Sequence, residues 1–163
     1  MRSFLVISIL VTLLPLASCG GARRSLNACT LVDPSLAESL TGDRTGEPST
    51  ISDNETHNYV GCYWTDRNKA NSLNVEAKVY DNPKTAEADF YRTAQTWECH
   101  TTLATPKPSN ACAYKSPLDT GVIITKGPVM ARIGYKGPGT PQHDQNRHPV
   151  IAQQLATKAT TTL

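Results

Sequence analysis

The sequence predicts an α+β domain, in which a small antiparallel β-sheet has helices packed on one face and is stapled by two disulfides. Two kinds of pattern lead to this prediction. Apolar and polar residues alternate through residues 73–80, as they do in a half-buried antiparallel strand. A capping residue precedes a proline at Asp33-Pro34 and again at Asn82-Pro83, a combination typical of helix starts.

The first half of the domain is predicted to contain one helix and one strand before the alternating segment. The helix begins at Pro34 and stops at Gly42, and the polar residues 43–57 that follow are predicted to be a loop. Residues 59–65 are rich in aromatic and β-branched side chains and are predicted to form a strand. Three of its residues share the face that we expect to be buried, namely Val60, Cys62 and Trp64.

The second half is predicted to continue with a helix, two strands and a final helix. The helix that starts at Asn82-Pro83 is expected to pack on the alternating strand, because apolar residues recur along one of its sides. These residues are Ala86, Phe90, Ala94 and Trp97. Residues 101–117 contain three prolines and no regular period, which predicts a loop. Strands follow at residues 122–125 and 129–135, and the last helix opens at Pro149.

The N-terminus has the composition of an export signal. One basic residue, Arg2, precedes an apolar segment at residues 4–17. This segment is shorter than the roughly 20 apolar residues that a transmembrane helix needs, and it fits the hydrophobic part of a signal peptide. We therefore expect residues 1–18 to be a cleaved signal peptide. Residues 19–27 are expected to be a flexible tether, and residues 28–163 a single extracytoplasmic domain.

The end of the apolar segment, Leu16-Ala17-Ser18-Cys19, resembles the lipobox of bacterial lipoproteins. The resemblance implies that a diacylglyceryl group is attached to the sulfur of Cys19 through a thioether and that the chain is cut just before Cys19. Two acyl chains hold a protein stably on a bilayer, so the domain is expected on the extracytoplasmic face of the cell membrane. The alternative is ordinary signal cleavage, with Cys19 free or in a disulfide.

The five cysteines of the chain are an odd number, which leaves one thiol unexplained in an exported protein. Assigning Cys19 to lipid leaves four cysteines and three possible connectivities. We predict that Cys29 pairs with Cys62, where a bridge would clamp the first helix to the sheet. We predict that Cys99 pairs with Cys112, where a bridge would close a proline-rich loop. The rival connectivity joins Cys29 to Cys112 and Cys62 to Cys99.

Two short cysteine motifs suggest a family. Ala28-Cys29-Thr30-Leu31 precedes the first helix, and Gly61-Cys62-Tyr63-Trp64 lies in the first strand. Together with the lipobox, these motifs resemble small actinobacterial envelope lipoproteins of the domain-of-unknown-function 3558 type. The resemblance implies an envelope location and an α+β fold, and it implies no reaction. Cys99 and Cys112 depart from the simpler two-cysteine pattern of that group.

Three residues before the last helix, His143, Asp144 and His148, could supply metal ligands. They lie in or beside residues 137–147, a segment rich in glycine and proline that is predicted to be a mobile loop. A metal site needs a defined geometry and a second shell of hydrogen bonds, and this segment provides neither. A solvated loop is therefore the favoured interpretation, and neither a metal nor any other cofactor is expected.

Other candidate sites also have simple structural explanations. Cys99-His100 has the composition of a thiolate–imidazole pair, but a disulfide is favoured for Cys99 in an exported chain. The sequence contains no Gly-x-Ser-x-Gly nucleophile motif. Several tyrosines could line a binding surface, although strands also contain tyrosine for packing alone. These tyrosines are Tyr59, Tyr63, Tyr80, Tyr91 and Tyr135.

The formal net charge of the chain is +2, and it falls by one when the segment carrying Arg2 is removed. A charge so close to zero gives no reason to expect nucleic-acid binding. Apart from the membrane reached through the anchor, the expected partner is an envelope protein or a wall polymer. The sequence thus predicts a cell-envelope lipoprotein that is a non-enzymatic binding or accessory module. The alternatives are an envelope hydrolase acting on wall or lipid and a carrier of small amphiphiles.

Overall fold

The computed structural model describes residues 26–52, 58–99, 101–107, 109–117, 119–137 and 147–163. In these residues three α-helices and a seven-stranded antiparallel sheet form an α+β fold, which confirms the predicted fold class. The predicted lipidation residue Cys19 lies outside the described residues, as does most of the predicted tether. Residues 138–146, which make up most of the predicted mobile loop, also lie outside them.

The described part of the chain opens with a short 3₁₀ helix, Ala28–Leu31. The three α-helices are α1 (Pro34–Thr41), α2 (Pro83–Thr96) and α3 (Arg147–Thr162). The seven strands are β1 (Glu47–Ser52), β2 (Asn58–Thr65), β3 (Ser72–Val79), β4 (Thr101–Thr102), β5 (Ser109–Lys115), β6 (Thr120–Lys126) and β7 (Val129–Lys136). Their order in the sheet is β1-β2-β3-β7-β6-β5-β4, and all neighbouring pairs are antiparallel.

The helix starts predicted from capping residues are confirmed. The Asp33 side chain accepts a hydrogen bond of 2.9 Å from the Ser35 backbone N–H at the start of α1. The Asn82 side chain accepts one of 2.9 Å from Thr85 N–H at the start of α2. At the end of α1, Gly42 has a φ of 73°, the left-handed conformation that glycine adopts without steric cost. Local sequence therefore determines where both helices begin.

The main core lies on one face of the sheet, which α1, α3 and the 3₁₀ helix cover. Cys62 and Trp64 of β2 are buried there and Val60 packs against them, as the alternation in this strand predicts. Val75 of β3 and Ile133 of β7, which are directly paired, continue this core across the sheet and are fully buried. We call this side the helical face of the sheet.

The position of α2 differs from the prediction that all helices pack on one face. Phe90 of α2 belongs to a second apolar cluster with Cys112, Ile123 and Met130 of β5, β6 and β7, whose side chains point away from the main core. The helix therefore lies over β6 and β7 on the opposite face, and it does not pack on β3 as predicted. The physical reason is that β6 is buried at nearly every position and presents apolar side chains to both sides. The outward positions of β3 are polar.

Three strands lie in segments predicted to be loops. Strand β1 lies within residues 43–57, and strands β4 and β5 lie within residues 101–117. The sequence of β5, Ser-Asn-Ala-Cys-Ala-Tyr-Lys, has small residues in place of the β-branched residues that identify a strand, and pairing with β6 stabilises it. Strand β1 contains Pro48, which is compatible with its position at the edge of the sheet.

Both disulfides have the predicted connectivity. Cys29 is bonded to Cys62 with a Cα–Cα distance of 5.0 Å, and Cys99 to Cys112 with a Cα–Cα distance of 5.7 Å. The first bridge fastens the 3₁₀ helix to β2 within the main core. The second fastens the segment after α2 to β5 on the opposite face. Each face of the sheet therefore has its own covalent bridge.

Candidate functional site

The residues that α2 leaves uncovered on its face of the sheet form a polar and aromatic surface, which we call the polar shelf. Antiparallel partners share a face, so the register places three cross-strand pairs on β2 and β3 side by side. Trp97 and Tyr80 border this surface where α2 ends and begins. The residues of the polar shelf are Tyr59, Gly61, Tyr63, Asn74, Glu76, Lys78, Arg132, Tyr80 and Trp97.

An ion pair lies in the middle of the polar shelf. Glu76 and Arg132 are cross-strand partners on β3 and β7, and Arg132 donates through Nε and Nη2 to Glu76 Oε2 at 3.1 and 3.0 Å. Asn74 Nδ2 donates to the other carboxylate oxygen of Glu76 at 3.1 Å. The guanidinium carbon of Arg132 lies 4.4 Å from the centre of the Trp97 ring. Glu76 and Arg132 are thus fixed in place from three directions.

A tyrosine lies below Trp97 and supports it. The ring centroids of Trp97 and Tyr114 are 5.1 Å apart, and the Tyr114 hydroxyl donates to Asp119 Oδ2 at 3.3 Å. Tyr114 is completely buried, and it fits because the facing residues on β6 and β7 are glycines. A Cβ atom at Gly134 would lie only 2.7 Å from the Tyr114 hydroxyl oxygen. The glycine pair Gly121–Gly134 is therefore needed for this packing.

The pKa values of Tyr114 and Arg132 are raised, which moves them further from neutral pH. Burial, followed by the negative charge of Asp119, raises the pKa of Tyr114, so its hydroxyl stays protonated. Burial disfavours the charged form of Arg132, but nearby Tyr114 and Glu76 outweigh it, and the pKa of Arg132 is raised. These groups therefore supply a fixed hydrogen-bond donor and a fixed positive charge.

Lys78 is a buried cation at the other end of the polar shelf. The residue is only 6% exposed, and its Nζ lies 4.6 Å from the centre of the Tyr80 ring and 5.2 Å from that of Tyr59. None of the ion pairs found in the described part of the chain includes Lys78. Its ammonium group thus lies against two aromatic rings without a carboxylate partner.

Asp89 of α2 contacts this end of the polar shelf through Tyr80. It is buried, and it accepts hydrogen bonds from the Tyr80 hydroxyl and from Arg92 Nη2. Burial, followed by the hydrogen bond to Asp89 and its negative charge, raises the pKa of Tyr80. The hydrogen bond to Asp89 also raises the pKa of Arg92. Asp89 therefore already has two donors, and Lys78 does not pair with it.

The helical face has a separate cavity of about 360 Å³ beside the Cys29 disulfide. Trp64 lines it, and its buried Nε1 has no acceptor among the described residues. Arg44 and Lys158 also line the cavity, but each has an acid nearby. Arg44 lies 3.7 Å from Glu38, and Lys158 lies 3.6 Å from Asp33. Arg44 is exposed and Lys158 partly exposed, and both are paired, in contrast to Lys78.

The structure brings some of the tyrosines singled out in the sequence together and separates others. Tyr59, Tyr63 and Tyr80 lie on the polar shelf. Tyr91 is on the outer surface of α2 and is 59% exposed, and Tyr135 is buried on the helical face. The binding surface suggested by these tyrosines therefore contains three of the five.

The other sequence candidates contribute little to a site. Cys19, His100, His143 and Asp144 lie outside the described residues. His148 is the second residue of α3, and Cys99 is bonded to Cys112, so it is not a free thiolate. Among the described residues, no group of three or more His, Cys, Asp or Glu side chains is arranged to hold a metal ion. No helix in the same residues is long and apolar enough to cross a membrane.

Sequence reasoning missed the charged residues of the polar shelf. Glu76 and Lys78 were recognised only as the polar half of an alternating strand, and Arg132 as the polar half of another. The pairing of Glu76 with Arg132 across β3 and β7 depends on a long-range register that no local pattern encodes. A usable signal was present, because charged residues on the outward side of a central strand indicate a face that is not covered by a helix.

Comparison with known proteins identified no relative: no protein-family model, no curated protein and no solved structure matches this chain. The resemblance to small actinobacterial envelope lipoproteins therefore stays a prediction that rests on the lipobox and the two cysteine motifs.

Proposed function

We propose that the protein is a lipid-anchored, extracytoplasmic binding module of the cell envelope. In this proposal Cys19 carries the lipid, and the polar shelf holds a ligand or partner. The observation that supports the binding role most strongly is the polar shelf itself. It combines fixed charges, half-buried aromatic rings and one unpaired cation on the face of the sheet that α2 leaves open.

The protonation behaviour of the polar shelf and of the residues that support it favours binding over catalysis. General acid–base chemistry uses groups whose pKa values lie near the working pH. The groups with raised pKa values here, the Tyr80 and Tyr114 hydroxyls and the Arg92 and Arg132 guanidiniums, keep one protonation state at neutral pH. They recognise charge and hydrogen-bonding groups without exchanging protons.

The anchor part of the proposal is tested by replacing the lipidated residue. Cys19→Ala should move the protein from the membrane fraction to the soluble fraction when it is produced in its native host, because the anchor holds by its two acyl chains. Mass spectrometry of the membrane-isolated wild-type chain should show a diacylglyceryl group on Cys19. An unmodified Cys19 in that material would contradict the proposed anchor.

The binding part is tested by copurification of the lipidated protein from its native membrane. Tyr63 is 39% exposed on the polar shelf, and Asn74 is its direct partner on β3. The double variant Tyr63→Ala/Asn74→Ala should lose the copurifying material. The matched control is Tyr91→Ala, which removes an exposed tyrosine from the outer side of α2 and should retain that material. Equal recovery with all three proteins would contradict a binding role for the polar shelf.

A second candidate, a carrier of small amphiphiles, is favoured by the cavity on the helical face. Its lining includes Val32, Pro34 and the Trp64 ring, with Arg44 and Lys158 as cations for an anionic head group. A carrier should bind palmitate stoichiometrically, and Thr30→Trp should block binding by filling the cavity from an exposed lining position. Calorimetry with palmitate therefore separates this candidate from a module that uses the polar shelf.

A further inference from the structure

We propose that the ligand of the polar shelf is a polysaccharide containing acidic sugars, with one carboxylate bound by Lys78. The inference rests on the proposed binding function and adds the chemical class of the ligand and a specificity-determining residue. Three observations lead to it: the charge balance of the polar shelf, the chemistry of its central row, and the scattering of exposed apolar residues over the molecule.

Lys78 is the cation that the polar shelf leaves unpaired. Two carboxylates on this side of the sheet are already engaged, Glu76 with Arg132 and Asp89 with Arg92. A charged group with little exposure is costly unless it is paired, and contacts with Tyr59 and Tyr80 offset only part of that cost. An anionic group of a ligand at this position would complete the ion pair.

The opposite end of the polar shelf carries charges of both signs, because the exposed Lys136 of β7 lies on the same face as the carboxylates of this end. Asp119 lies beside Tyr114, close to Gly134, which is the β7 partner of Asn74. Glu47 of β1 is exposed and is paired with Tyr63. With two carboxylates and one ammonium group, this end has no excess positive charge to bind a second anionic group. The charge distribution therefore fits a chain in which acidic and neutral units alternate.

The central row has the groups that bind sugars. Asn74, Glu76 and Arg132 present an amide, a carboxylate and a guanidinium with free hydrogen-bonding capacity, since each can form more bonds than it uses in the shelf. The exposed ring of Tyr63, the cross-strand partner of Asn74, lies beside them and supplies a flat apolar surface, whereas the Trp97 ring is already covered by Arg132 and Tyr114. A sugar ring offers hydroxyl groups at its edge and C–H groups on its faces, which match these two kinds of surface.

The dimensions favour an extended chain. Asn74 and Lys78 are four residues apart on β3, which corresponds to about 13 Å at the rise of an antiparallel strand. The polar shelf is an open surface between α2 and the edge strand β1, and an oligomer can extend beyond it at both ends. A single small ligand would leave most of it in contact with water.

The exposed apolar residues argue against a protein partner held by apolar contact. In the described part of the chain the large exposed hydrophobic residues are Tyr63, Val79, Tyr91 and Val150. They lie on four separate elements, β2, β3, α2 and α3. A stable protein interface contains a continuous apolar centre, which these residues do not form.

The experiment uses a hyaluronan hexasaccharide, in which a carboxylate-bearing sugar alternates with a neutral one, and its methyl ester, which has no charge. The mature chain with Cys19→Ala, kept free of lipid, should bind the acidic form and should bind the ester at least roughly tenfold more weakly. Binding should also weaken as salt is added. Equal affinity for the acid and the ester would overturn the role of the carboxylate.

Variants at Lys78 test the residue itself. Lys78→Gln should reduce affinity for the acidic hexasaccharide roughly tenfold or more, and Lys78→Arg should retain most of it because the charge remains. Lys115→Gln removes an exposed lysine at the far side of the sheet and should leave affinity unchanged. The far-ultraviolet circular dichroism of each variant shows whether it has folded. A folded Lys78→Gln variant with wild-type affinity would refute the inference.

Two outcomes separate this inference from the proposed function. If polyglutamate binds more tightly than the hexasaccharide and depends on Lys78, the ligand is an acidic peptide and the saccharide inference fails. If neither probe binds while Tyr63→Ala/Asn74→Ala still abolishes copurification, the inference fails and the binding function stands. If that double variant also copurifies normally, both fail.

Discussion

Neighbouring residues on the central strands of the sheet have opposite roles on its two faces. Val75 of β3 and Ile133 of β7 are fully buried on the helical face. The residues adjacent to them in the sequence, Glu76 and Arg132, form an ion pair on the polar shelf. The same backbone pairing thus holds an apolar core on one side and a charged surface on the other. Stability and recognition are separated by the alternation of side chains along a strand.

Removing a disulfide should have the largest effect on stability, and because one disulfide lies on each face, the two faces can be compared in this way. Cys29–Cys62 closes a loop of 33 residues on the helical face, and Cys99–Cys112 one of 13 residues on the α2 face. Replacing both cysteines of a bridge by alanine should cost about 4 kcal/mol of unfolding free energy for the first and about 3 kcal/mol for the second in the chain-entropy model. Urea unfolding of the three proteins measures both values. A greater loss for the second bridge would mean that loop length does not set the order.

The next largest loss of stability is expected when a single side chain of the main core is truncated. Ile133→Ala removes a fully buried side chain from the helical face and should lower the free energy of unfolding by about 3 kcal/mol. The polar shelf should keep its affinity for the acidic hexasaccharide, because Ile133 points away from it. Urea unfolding and calorimetry on the same preparation check the two halves of this prediction. A large loss of affinity in folded protein would show that the faces are not independent.

Removing a charge from the polar shelf should cost less stability. Glu76→Gln leaves the side-chain shape nearly unchanged but breaks the ion pair with Arg132, whose partner atoms are partly exposed. The expected loss is about 1 kcal/mol, since solvent screens such pairs. Arg132 keeps its contact with Trp97, which limits the damage. The measurement is urea unfolding of Glu76→Gln beside Lys115→Gln, which should match the wild type. A loss as large as that of Ile133→Ala would contradict the comparison.

The helical face was more predictable from the sequence than the polar shelf. Alternation in β2 and β3 identified Cys62, Trp64 and Val75 as buried, and capping residues located the starts of α1 and α2. The disulfide connectivity also followed, because local elements placed the cysteines near one another. These features depend on residues close in sequence or on a simple period.

The features that were missed depend on pairing between distant segments. Strand β5 has no sequence signal of its own and exists because β6 lies beside it. The predicted position of α2 was wrong because its apolar side was expected to pack on β3. In the structure it covers the apolar surface formed by Ile123 and Met130. Because α2 lies over β6 and β7, Glu76 and Lys78 of β3 are not packed beneath it. The error in the fold and the missed site therefore have one cause, the order of the strands in the sheet.

The smallest expected effect is the pH dependence of an exposed charge at the edge of the helical face. Hydrogen bonds from the Ser35 side chain and backbone, with a smaller contribution from Lys158, lower the pKa of Asp33 below its ordinary value of 3.8. A carboxyl with a lowered folded-state pKa stabilises the fold above its unfolded-state pKa, and this contribution is lost as the pH falls through the folded-state pKa.

Asp33→Asn keeps a capping oxygen for α1 but removes the charge. Its melting temperature should therefore be slightly lower than that of the wild type at pH 7, and the two should converge as the pH falls from about 4 toward 2. Thermal unfolding of both proteins across this range measures the difference, and a difference that stays constant down to the lowest pH would show that the charge of Asp33 does not stabilise the fold.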